Sequence, residues 1–222
     1  PLTYVATVNA VRYCGAEPHF VDVEDESFAI DPEKLREYLR TKGVWRNGKF
    51  VNRTSGRRFS ALVPVYVFGL ALGSFEGNSH AGTDFAGGVL SFNGNKIVTT
   101  GGGGAVITDN PQVALLARHL GSVARRQSDI RHDHDQVGFN YKMPGINAAL
   151  GIAQLRRLTE LLQRKRELHI RYERAFDDCE YFRLVAERDG TRSNFWLNTV
   201  VLQDLPASQL TTFIESAQSK GI

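Results

Sequence analysis

The apolar run Ala61-Leu62-Val63-Pro64-Val65-Tyr66-Val67-Phe68 is followed by a stretch that cannot make a helix. Such a run is the pattern of a strand covered on both faces. If the next apolar run, from Val89, is its parallel neighbour or near neighbour, the two must be joined by a crossover of about a dozen residues or more, normally helical. Residues 70–88 have no helical stripe, little apolar continuity and five glycines. The crossover is absent, which constrains the fold more than any other feature.

The surrounding elements are ordinary. The spacing predicts a short helix over Val5 to Tyr13, ended by Gly15. A strand over Pro18 to Val23 follows, then a helix capped by Asp31 with Pro32 in its first turn and Leu35, Tyr38 and Leu39 as its buried stripe. Val44 to Val51 reads as a hairpin, because Asn47-Gly48 tolerates the positive φ of a type I′ turn. Val89–Phe92, Lys96–Thr100 and Ala105–Thr108 are strand candidates, and Asn110-Pro111 opens another helix. After an irregular stretch over 121–143, a long helix runs from Pro144 to about Asp178 with a break near Lys165. A strand over Phe195 to Leu202 and a helix over Pro206 to Ala217 complete the pattern, which is α/β.

Composition narrows the function classes. With 42% hydrophobic and 23% charged residues the chain is neither disordered nor collagen-like. No apolar stretch approaches a membrane span, and no export signal precedes the first helix, so a cytoplasmic protein is expected. Cys14 and Cys179 are too few for a disulfide framework. The net charge, 27 − 24 = +3, is too small to call for nucleic acid. The basic cluster Arg164-Lys165-Arg166 lies beside Glu160 and Glu167, whose i,i+4 partners Arg164 and Arg171 make it a solvated helix face. His132-Asp133-His134-Asp135 reads as an exposed polar loop, not a metal site. Pro1 in place of a methionine, with Met143 the sole methionine, suggests a piece of something longer.

The chemistry lies in Ser91-Phe92-Asn93-Gly94-Asn95-Lys96-Ile97-Val98-Thr99-Thr100 and the four glycines after it. A lysine following an apolar strand, beside glycines that let a ligand approach backbone closely, can act as a nucleophile toward a carbonyl once its pKa is depressed. This segment closely resembles the cofactor-lysine segment of the DegT/DnrJ/StrS family of nucleotide-sugar aminotransferases. Thr3-Tyr4-Val5-Ala6-Thr7, Phe20-Val21-Asp22-Val23, Pro64 to Gly69, Val137 to Met143 and Ile146 to Gly151 agree with it in order. Ser193-Asn194-Phe195-Trp196-Leu197-Asn198 is most similar to the branch that aminates the 4-keto group of a UDP-linked amino sugar, as in legionaminic acid and bacillosamine pathways.

The resemblance implies a fold type I large domain, here residues 1–155, with a mixed, mainly parallel sheet. It also implies a long linking helix and the start of a small α+β domain over 156–222. Its cofactor is pyridoxal 5′-phosphate, held by Lys96 through its amine, which then moves a proton between substrate and cofactor. Ser91 matches a hydroxyl on the cofactor phosphate, Tyr4 the aromatic that stacks on its ring, and Asn140 an asparagine reaching a neighbouring subunit's cofactor in a homodimer. Lys142 stands where arginine is commoner. A dehydrating relative is disfavoured, since those carry histidine in place of Lys96.

The same resemblance marks what is missing. Relatives place a helix and a strand ending in a carboxylate between Gly69 and Ser91, and that carboxylate keeps the ring nitrogen protonated. Asp84 aligns with a later loop and does not take the role. The phosphate-holding helix N-terminus upstream and most of the small domain are also wanting. Two expectations follow: an aminotransferase taking nitrogen from glutamate to a nucleotide-linked 4-keto-6-deoxy amino sugar, or a truncated, internally deleted and non-catalytic remnant that associates with intact relatives.

Overall fold

In the computed structural model, residues 1–68, 72–126, 132–203 and 206–221 are described. They fall into two units, Pro1–Val67 with Ala186–Arg188, and Phe68–Val185 with Asp189–Ile222.

The first unit starts with α1 (Val5–Tyr13), closed by Gly15 at φ +68°. Gly15 N–H donates to Arg12 O and Ala16 N–H to Val11 O, the paired bonds that satisfy a helix C-terminus. α2 (Pro32–Lys42) begins as the sequence predicts, with the Asp31 carboxylate accepting from Glu33 and Lys34 N–H at 2.9 and 3.0 Å. Its half-buried Leu35, Tyr38 and Leu39 form the stripe. It runs directly into β1 (Gly43–Arg46), which pairs antiparallel with β2 (Lys49–Asn52). Asn47 and Gly48 turn the hairpin at φ +51° and +71°, the two positive values of a type I′ turn. An aromatic cluster of Tyr38, Phe50 and Phe59 packs across these elements, with His19 hydrogen-bonded to the Tyr38 hydroxyl at 2.9 Å.

The second unit contains β3 (Phe75–Glu76), β4 (Ser79–His80), β5 (Gly88–Ser91), β6 (Gly104–Ile107), α3 (Pro111–Gly121), α4 (Gly145–Arg156), α5 (Leu158–Phe176), β7 (Phe182–Leu184), β8 (Thr191–Arg192), β9 (Val200–Leu202) and α6 (Ala207–Ser219). Its sheets are small: β4-β3-β8, β5-β6 and β7-β9. α3 starts on Asn110, whose side chain accepts from Gln112 and Val113 N–H.

Several expectations are corrected here. Every strand ladder among the described residues is antiparallel, so the mainly parallel pairing is not seen. The run 61–68 makes no ladder, and 18–23 contributes only the Val23–Ile30 bridge. Antiparallel partners can be joined by a few residues, whereas parallel ones need a crossover, and residues 72–88 hold two-residue strands instead of a helix. Residues 70 and 71 of that stretch lie outside the described residues, as do 127–131 of the irregular stretch before α4. The segment 96–100 is irregular and bent rather than a strand, and of 195–202 only β9 is a strand, Phe195 having φ +45°. The long helix breaks at Arg157, not Lys165. Arg157 leaves helical geometry at φ −101°, ψ 5°, and its guanidinium reaches forward to Glu160 at 3.1 and 3.2 Å.

α4 approaches the loop between β5 and β6 through Gly151. A Cβ there would stand 2.8 Å from Thr100 Cγ2, on a β-branched side chain that is 2% exposed and bonded through its hydroxyl to Gly102 O. Thr100 cannot swing aside. Gly151→Ala, which in an open helix gains up to about 1 kcal/mol, is here expected to cost roughly 1–2 kcal/mol because overpacking outweighs propensity. Urea unfolding of the two proteins measures the sign.

Candidate active site

β5 and β6 are joined by a long loop, and that loop carries Lys96. The ladder ends at Ser91–Gly104, and the register places Leu90 opposite Ala105. Side chains alternate along β5, Leu90 half-buried and Val89 and Ser91 exposed. The glycines of the return leg are fixed by the backbone. Gly103 has φ +100°, and a Cβ on Gly104 would collide with Leu90 O. Only glycine fits both positions.

The loop is closed by its own hydrogen bonds. Phe92 N–H donates to Gly103 O at 2.9 Å, and Phe92 O accepts from Thr100 N–H at 3.0 Å and the Thr99 hydroxyl at 3.2 Å. Asn147 of α4 donates to Thr100 O at 2.6 Å, tying the loop to the helix. Val98 and Thr100 are each 2% exposed, so the loop has a buried foot beneath the lysine. Lys96 itself sits in a tight turn, its N–H on Asn93 O at 3.0 Å.

The Lys96 side chain is half-buried. Burial pushes its ammonium below the ordinary lysine value, because the charged form loses solvation. Among the described residues no carboxylate pairs with it. More of the amine is therefore uncharged and nucleophilic near neutral pH than for a surface lysine. Its Nζ stands 3.2 Å from the centroid of the Trp196 ring. Sequence reasoning missed this neighbour as a site residue. The contact spans about a hundred residues of chain, and the aromatic-rich motif around Trp196 was its only local sign.

The other candidates have surroundings of their own. The Ser91 hydroxyl is exposed at the end of β5 and accepts weakly from Asn93 N–H at 3.4 Å. Asn140 is exposed, bridged through its backbone to Ser122 beside the stacked Phe139–Tyr141 pair. Tyr4 belongs to the first unit, at the N-cap of α1 and 76% exposed. Asp84 is exposed in a bend. In the polar loop His134 takes Val123 O and Asp135 takes His119, and no group of three or more metal-binding side chains occurs among the described residues. Among those residues no helix is long and apolar enough to cross a membrane.

A half-buried amine of lowered pKa on a glycine-rich strand-loop-strand has the chemistry needed to attack a carbonyl. The profile of the DegT/DnrJ/EryC1/StrS aminotransferase family matches residues 1–222, and the chain belongs to this family. EpsN of Bacillus subtilis, provisionally named a pyridoxal phosphate-dependent aminotransferase, is 33% identical over 218 residues, 91% of this chain and 55% of its own. A UDP-4-amino-4,6-dideoxy-N-acetyl-β-L-altrosamine transaminase of Campylobacter jejuni is 30% identical over all of this chain and 62% of its own. The structure of Helicobacter pylori PseC, an aminotransferase of pseudoaminic acid biosynthesis, superposes with a TM-score of 0.81 at 22% identity, covering 99% of this chain and 62% of that one. The fold is thus that of the fold type I enzymes, in part. The chain spans little more than half the length of the relatives it matches.

Enzymes of this family use pyridoxal 5′-phosphate. The residues present fit its anchoring end: a half-buried amine of lowered pKa with no ion-pair partner among the described residues, and an exposed serine hydroxyl at the foot of the same loop.

Proposed function

We propose that this chain carries the cofactor-anchoring part of a transaminase that moves an amino group from glutamate to the 4-keto carbon of a UDP-linked 4-keto-6-deoxy amino sugar. Such a product is a precursor of cell-surface polysaccharide or glycan. The observation that carries the reading is Lys96, presented half-buried on its glycine-rich loop and without an ion-pair partner among the described residues. The C. jejuni relative's name, a transaminase of a UDP-linked 4-amino-4,6-dideoxy sugar, supports the substrate class.

In this reading Lys96 would hold the cofactor carbonyl through its amine and, once free, would carry the proton at Nζ. Ser91 donates its hydroxyl to the phosphate. Tyr4 would supply the aromatic for the ring, and Asn140 would reach the cofactor phosphate of a partner subunit in a homodimer. The cofactor supplies an electron sink for the carbon that loses its proton. Residues 1–155 form the cofactor-binding part and 156–222 the linking helix and the start of the small domain.

The test is to mix the purified chain with pyridoxal phosphate, glutamate and a UDP-linked 4-keto sugar and follow 2-oxoglutarate and the aminated sugar. Formation of both in equal amounts is expected. A chain that neither binds the cofactor nor forms either product is the non-catalytic remnant, a reading favoured by the missing crossover helix and carboxylate.

A further inference from the structure

Lys96 faces an aromatic surface that is itself held rigidly. The Trp196 indole N–H donates to Asn95 O at 2.7 Å, next to the lysine it covers. Its backbone N–H donates to Asn194 Oδ1 at 3.0 Å, and its carbonyl accepts from Lys165 Nζ of α5 at 2.9 Å. Asn194 is 4% exposed and anchored by Nδ2 on Leu72 O at 3.0 Å and by its N–H on Ser74 Oγ at 3.1 Å. The neighbouring Phe195 is pinned at φ +45° between the His169 ring, stacked at 3.8 Å, and the Arg166 guanidinium at 4.8 Å. A side chain at that φ is costly, and such strain persists only where the surroundings impose it. Trp196 follows this constrained residue directly.

We propose that Trp196 is a positioning residue for Lys96, its indole face holding the side-chain nitrogen whenever that nitrogen is not covalently engaged. This rests on the proposed transamination, in which Lys96 must alternate between bound and free forms. A released lysine has many rotamers and would lose its place. An ammonium over an indole face is attracted by the ring quadrupole, and here the ring cannot turn away because Asn95 O holds its edge. The same contact favours the charged form and so opposes the effect of burial on Lys96. The charged groups around the face are Lys165 and Arg166 of α5, both cations, with His169 beneath Phe195. None of these is an acid that could take over the holding.

The first test needs no cofactor. Trp45 and Trp196 are the two tryptophans, so W45F leaves Trp196 as reporter. Its emission is expected to change with an alkaline titration that disappears in W45F/K96M, tyrosine ionisation being common to both. Should W45F fold poorly, the same difference is read between the unaltered chain and K96M. The second test traps pyridoxal phosphate on Lys96 with borohydride across pH, with peptide mass analysis to separate Lys96 from Lys165. W196F, which keeps an apolar cover with a weaker face, is expected to lower the midpoint of adduct formation by about half to one pH unit. A residue of purely structural importance would lower thermal stability and leave that midpoint in place. An emission titration that persists in K96M, or an unchanged midpoint in W196F, overturns the proposal. If no adduct forms at all, the proposed transamination fails and the emission titration alone decides for or against Trp196.

Discussion

Lys96→Ala is expected to leave a folded protein that no longer turns yellow with pyridoxal phosphate and from which borohydride traps no cofactor at position 96. Turnover of glutamate should fall by at least the 10²–10⁴-fold, roughly, that one positioned acid–base group contributes, because the same nitrogen both anchors and carries the proton. The folded state should survive. The loop is held by Phe92, Thr99, Thr100 and Asn147 through bonds that do not involve the lysine side chain, and the exchange gives up only a cation–π contact of about 0.5–2 kcal/mol. Circular dichroism and thermal melting of the two proteins check this, and visible absorbance with mass analysis reads the cofactor. A Lys96→Ala protein that still binds the cofactor covalently would place the anchor elsewhere, Lys165 being the first candidate.

The parts of the fold that were legible in the sequence are those whose causes are local. Asp31-Pro32 and Asn110-Pro111 announced helix starts because a side-chain oxygen two or three residues away satisfies the first N–H groups. Gly15 and Asn47-Gly48 announced an end and a turn because few other residues adopt positive φ there. Strands were harder. Ile97-Val98-Thr99-Thr100 has the β-branched composition of a strand, yet its backbone is committed to closing the loop, with Lys96 N–H on Asn93 O and Thr100 N–H on Phe92 O. The run 61–68 is apolar enough for a central strand but has no ladder partner among the described residues.

The site was legible unevenly. Lys96 and Ser91 were visible because they stand on one short segment with a family likeness, whereas spacing alone gave only a weak reason to choose this lysine. Trp196, which touches it, is separated from it by a hundred positions, and no periodicity joins them. The helix break shows the same limit from another side. Lys165 looked like an interruption in an apolar stripe, but its side chain crosses to Trp196 O. A cation facing inward to a carbonyl reads in sequence as a defect in the helix.

The Asn194→Ala exchange should clearly destabilise the second unit. The side chain is 4% exposed and holds two backbone groups, donating from Nδ2 to Leu72 O and accepting from Trp196 N–H, both at 3.0 Å. Removing it leaves a carbonyl and an amide of two half-buried residues without these partners. With both groups half-buried, the low end of the ~1–3 kcal/mol for each unsatisfied group applies, and the loss is expected to be roughly 2–3 kcal/mol. Asn194→Asp keeps an oxygen for Trp196 but sets a buried carboxylate oxygen against Leu72 O, so it should be at least as destabilising as Asn194→Ala. The damage should also reach the lysine, since Trp196 would lose the bond that sets its backbone. Urea unfolding ranks the three proteins, and the alkaline emission titration of Trp196 should weaken in Asn194→Ala, which loses the acceptor for its N–H. A stable Asn194→Ala protein with an unaltered titration would mean that Asn95 O and Lys165 are enough to hold the indole over Lys96.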